Sequence, residues 1–164
     1  MMVQVKPSVF PFVVKSFSLE RVQFWAQYAA QASTKEQLLV AQYAFNALYW
    51  EENAFFWYES AVSDVQRYGF LDALRALDEL LDVVLYLSSG EHCWFRVCRD
   101  LAQVLGKRAK SDRWYQDAVA QSDFYASLAS QVAQYIYVMC AEHQLALPEH
   151  TKAFLDEMAS SVSS

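Results

Sequence analysis

Residues 51–59 read Glu51-Glu52-Asn53-Ala54-Phe55-Phe56-Trp57-Tyr58-Glu59, and residues 78–82 read Asp78-Glu79-Leu80-Leu81-Asp82, with Gly69 between the two stretches. No Gly or Pro interrupts Lys35 to Tyr68 or Phe70 to Leu87, and neither run alternates apolar and polar residues for long. The pattern predicts two helices joined at Gly69 into an antiparallel hairpin. Two carboxylate-bearing helices that face each other can build an oxygen-only Mg²⁺ site. Fold and function therefore both turn on which way these carboxylates point.

The remaining elements follow outward from the hairpin. Thr34 with Gln37 forms a capping box that opens the second helix, which at 1.5 Å per residue would reach about 50 Å, with a kink expected near Asn53 or Ser60. Before it, Ser18 caps a first helix over Leu19 to Ala32, with Val22, Trp25, Ala26 and Ala29 on one face. Residues 1–17, with Lys6-Pro7 and Phe10-Pro11, read as an extended arm packed on the body or on a neighbour. After the hairpin, Ser88-Ser89-Gly90 ends the third helix, and a fourth runs from Glu91 to Leu105, closed by Gly106. Ser111 caps a long helical region to about Gln144, with a break expected at Ser122-Asp123. Pro148 opens a short last helix, Glu149 to Ala159, before a fraying Ser-rich end. The expected fold is all-α: a four-helix-bundle core with additional C-terminal helices, in one domain over residues 1–164.

Composition narrows the function. Of 164 residues, 55% are hydrophobic and 16% aromatic, more aromatic surface than a monomer of this size easily hides, so a homodimer that uses part of the second helix is expected. The net charge of −6 argues against binding a nucleic acid duplex through its phosphates. No apolar run approaches the ~20 residues of a membrane span, and the N-terminus lacks the basic start and cleavage site of a signal peptide. Three cysteines, Cys93, Cys98 and Cys140, form an odd and sparse set that suits buried thiols in a reducing cytoplasm.

The two hairpin helices each admit two readings. At alternating steps of three and four, Leu38, Ala41, Phe45, Leu48, Glu52, Phe55, Glu59 and Val62 share a stripe of the second helix. Either Glu52 and Glu59 are buried and hold a cation, or they emerge at the stripe's edge. On the third helix, Glu79 and Asp82 lie opposite the main apolar arc, beside Asp72 and Arg75 but also beside Ala76, Val83 and Tyr86. Either that side is solvated, or the helix is sandwiched and the carboxylates are enclosed.

The run Asp78-Glu79-Leu80-Leu81-Asp82-Val83-Val84-Leu85-Tyr86-Leu87 resembles the second motif, E-x-x-D plus an apolar run, of the all-α NTP pyrophosphohydrolases, the MazG-like proteins and dimeric dUTPases. Glu51-Glu52-Asn53-Ala54-Phe55 stands where their E-E-x-x-E motif would fall, and the likeness spans residues 19–90. It implies Mg²⁺-dependent hydrolysis of a nucleoside triphosphate to a monophosphate and pyrophosphate. Glu52, Glu79 and Asp82 would hold Mg²⁺, and Glu51 or Glu59 would assist catalysis. Phe55 replaces the last glutamate of the first motif, so either the site is rearranged or the fold has lost its chemistry.

Lys107, Arg108 and Lys110 form a basic cluster that reads as a phosphate-binding loop for such a substrate or as a solvated turn. His92, His143 and His150 lack the Glu-x-x-His spacing of di-iron bundles. No nucleophile elbow or Cys–His signature is present. Two functions therefore compete: the pyrophosphohydrolase, and a non-catalytic helical interaction module, such as a small inhibitor or adaptor, that presents its aromatic surface to a protein partner.

Overall fold

The computed structural model describes residues 9–89 and 93–162. Within them the chain forms α1 (Leu19–Gln31), α2 (Lys35–Arg67), α3 (Phe70–Ser89), α4 (Trp94–Leu105), a 3₁₀ turn (Gly106–Ser111), α5 (Arg113–Glu142) and α6 (Glu149–Val162), with no strand among the described residues. The expected all-α class holds. The expected helix end at Gly90, helix start at Glu91 and the segment 1–8 of the arm lie outside the described residues.

Local chemistry sets most boundaries. Ser18 Oγ accepts from the Arg21 N–H, and Thr34 and Gln37 make the expected reciprocal capping box. Gly69 and Gly106 take φ of +108° and +59°, the left-handed region that a Cβ disfavours, so two of the turns fall on glycines, while Gln144 takes φ of +56° after α5. Two expectations change. The α5 cap is Asp112, whose side chain accepts from the Tyr115 N–H, not Ser111. α5 runs as a single helix without the break expected at Ser122-Asp123, and α2 is continuous through Asn53 and Ser60.

α2 and α3 pack on each other along the hairpin, and the Trp50 and Tyr86 rings meet 5.0 Å apart, as antiparallel registration about Gly69 requires. α3 also packs on α5, α4 and α6, so it is contacted from several sides. Leu77, Leu80, Leu81, Val84 and Leu87 are fully buried, and Ala76 and Val83 are buried on the other side of the same helix. α1 lies on α2 and is tied to α5, where Trp114 Nε1 donates to the Phe24 carbonyl at 2.9 Å and the two rings stack.

The arm behaves as an extended strap on the protein's own body. Phe10, Phe12 and Val14 are buried while Pro11, Val13 and Lys15 are exposed, the period-two pattern of an extended chain. The Phe10 and Phe12 rings stack at 5.2 Å and meet Tyr58 of α2 and Tyr135 of α5.

α2 buries the expected stripe only at Ala41 and Leu48. Its buried face is Val40, Ala44, Ala47, Glu51, Ala54 and Ala61, with Ala41 and Leu48 at its edge. Small side chains let neighbouring backbones approach closely, so this face packs inward although its residues are less hydrophobic than Leu38 or Phe45. Those two are 55% and 36% exposed.

Candidate functional site

Three groups of polar side chains stand out, and the expected site residues are divided among them. The first is internal. Glu51 sits in the middle of the α2 alanine face with 7% of its surface exposed. Arg21 of α1 donates to both its oxygens, at 2.7 and 2.5 Å, and the phenol of Tyr125 on α5 donates to Glu51 Oε1 at 3.0 Å. The same guanidinium donates to Asp117 of α5 at 3.2 and 2.9 Å, and its carbon lies 5.1 Å from the centre of the Trp94 ring. Trp25 Nε1 adds a donor to Asp117 at 3.0 Å. One guanidinium thus binds α2 to α5, with α1 as the bracket. Burial raises the Glu51 carboxyl above its ordinary value, although Arg21 and Tyr125 pull it down. Tyr125 is pushed up for the same reason and by the negative charge of Glu51. Glu51, expected as a catalytic group from its place in the hairpin, thus lies inside the protein, bonded to Arg21 and Tyr125.

The second group is exposed. Glu52 and Glu59 both face outward on α2, and Glu52 lies in a shallow depression with Tyr49, Asn53 and Phe56. Lys107, Arg108 and Lys110 are exposed on the 3₁₀ turn, which packs on α4 and α5 through Ala109. This placement suits the solvated-turn reading of the basic cluster.

The third group joins α3 to α6. Asp78, 7% exposed, accepts from the backbone N–H of His150 at 3.1 Å and of Thr151 at 2.9 Å, and from the Thr151 hydroxyl at 2.8 Å. It therefore caps α6 from another helix. This docking carries His150 over the next turn of α3. Donor atoms of Glu79, Asp82 and His150 all lie within 4.8 Å of one another, the one such group among the described residues. The carboxylate trio expected to share Mg²⁺ is thus not the trio that comes together: Glu79 and Asp82 meet, Glu52 is replaced by an imidazole. The side is neither fully solvated nor enclosed, since Glu79 is half-buried and the Asp82 side chain 56% exposed. An imidazole donor does not match the all-oxygen octahedron that Mg²⁺ prefers.

Arg21, Asp117 and Tyr125 were not singled out from sequence, Asp78 was read only as part of the acidic stretch, and His150 was weighed only against the di-iron spacing. Glu51 had a readable signal, since steps from Val40 through Ala44, Ala47, Ala54 and Ala61 place it on one helical line. The cysteines offer no nucleophile: Cys93 and Cys140 are buried, and burial, with Asp123 nearby, pushes the Cys98 thiol up to about 12. No helix among the described residues is long and apolar enough to cross a membrane. Comparison with protein-family models, curated proteins and solved structures finds no match.

Proposed function

We propose that the protein is a non-catalytic helical interaction module with a four-helix core of α2 to α5, which pairs with a second copy through the outward face of α2. One observation carries this reading. Leu38, Phe45, Tyr49 and Phe56 are 55%, 36%, 59% and 61% exposed, and their spacing of seven, four and seven residues keeps them on one line of the helix. The line extends about 27 Å, opposite the buried alanine face. An apolar line at coiled-coil spacing, interrupted by Gln42 and Glu52, is a packing surface and not a scatter of exposed side chains. Glu52 and Glu59 border it. In a parallel, in-register pair each would face its own twin, so the pairing is antiparallel. Three thiols without a disulfide suit a reducing compartment.

The test is mass by light scattering at micromolar concentration. The wild type is expected as a dimer, and the Tyr49→Lys/Phe56→Glu variant as a monomer with unchanged helical circular dichroism. A monomeric wild type, or a variant that stays dimeric, overturns the reading.

Mg²⁺-dependent pyrophosphohydrolysis remains the second reading, favoured by one observation: Glu79 and Asp82, one turn apart on α3, converge. Against it, Glu51 is tied to Arg21 and Glu52 lies outside the convergent group. Incubation with Mg²⁺ and a nucleotide panel is expected to release no pyrophosphate. Release that Glu79→Gln abolishes would establish the enzyme instead.

A further inference from the structure

We infer that Glu79, Asp82 and His150 form a site for a divalent transition-metal ion of the zinc class, which fastens α6 to α3. Ligands about 2.1 Å from a tetrahedral ion lie about 3.4 Å from each other. His150 Nδ1 already stands 3.6 Å from Asp82 Oδ1, and all three donors fit within 4.8 Å, so small rotamer shifts would close the set. Two of the donors are presented by construction, because Glu79 and Asp82 are three residues apart and share a helix face.

The third donor is placed independently. Asp78, adjacent to Glu79, holds the His150 and Thr151 backbone N–H groups and the Thr151 hydroxyl. The same turn of α3 that caps α6 therefore carries the carboxylates, and the cap fixes the backbone from which the imidazole projects. Two carboxylates and a neutral imidazole bring a charge of −2, which a divalent cation neutralises. The mixed nitrogen and oxygen donors select zinc and its neighbours over Mg²⁺. The fourth position would be taken by water.

The consequence falls on α6. Among its residues 149–161 Thr151 alone is buried, while Phe154 and Leu155 pack on the core in part. A helix held by so little is one that a metal bridge at its first turn would steady. The site is independent of the α2 face, so neither proposal depends on the other.

The experiment uses the full chain. Titration calorimetry with zinc chloride is paired with hydrogen exchange of the α6 amides. Zinc should bind at one site per chain and slow exchange throughout α6. His150→Ala, which keeps the backbone cap, should weaken binding by about tenfold or more and cancel the protection of α6. Asp82→Asn should do the same, and His143→Ala, whose ring stacks on Phe70 at the start of α3, should not. Absence of zinc binding, binding that His150→Ala leaves intact, or equal binding of magnesium chloride would each overturn the site.

Discussion

Arg21 serves two carboxylates on two different helices, so its removal and the removal of one partner are unequal events. In Arg21→Met the buried Glu51 loses its cation while the charge of Asp117 remains close. Leaving a buried charge without its partner costs about 3–5 kcal/mol, and urea unfolding of this variant should show a loss of that order. In Glu51→Gln the amide oxygen still accepts from Tyr125, and Arg21 keeps Asp117, so about 1–2 kcal/mol is expected. The two variants should also differ with pH. The folded Glu51 carboxyl lies above its unfolded value. Its contribution is thus fully present below the unfolded value, about 4.3, and declines as pH rises through the folded value. The stability gap between wild type and Glu51→Gln should therefore be wider near pH ~4 than near pH ~7. At this scale the sequence was deceptive for a physical reason. Large apolar residues drew attention to the Leu38–Phe45 line, whereas burial went to the alanine line, where small residues allow close helix approach. The adjacent pair Glu51-Glu52 was split by the 100° step of the helix, one inward and one outward.

The elements themselves were legible. Glycines at positive φ, the Thr34–Gln37 box and the break before Pro148 marked most helix ends, because these are local chemistry that needs no tertiary partner. What was not legible was the cap of α6, which comes from Asp78, 72 residues away from His150 in the chain. No local pattern announces a cap donated by another helix. Asp78→Ala removes all three bonds to the α6 turn and leaves the fully buried Thr151 hydroxyl without its acceptor. The expected cost is about 1–3 kcal/mol, concentrated in α6. Hydrogen exchange should show α6 amides opening freely while those of α2 and α3 keep their protection. Uniform loss of protection would mean that α6 is a cooperative part of the core.

At the scale of the whole molecule the arm is a segment held by packing without being helical. Phe10, 2% exposed, lies among Phe12, Tyr58 and Tyr135, and Tyr135 in turn meets Phe70 at the start of α3. A ring in that position stitches α2, α3 and α5 together from outside the helices. Phe10→Ala should cost about 3–5 kcal/mol, the usual loss for a fully buried aromatic, and be read as a lower unfolding midpoint in urea. The sequence left open whether the arm packs on its own body or on a neighbour, and the structure places it on its own. The self-association proposed for α2 and burial of the arm are then separate events. The dissociation constant of folded Phe10→Ala should match that of wild type by light scattering, even as its stability falls. If the variant instead turned monomeric while keeping its helices, the arm would have to be exchanged between copies, and the α2 face would not be sufficient to hold the pair.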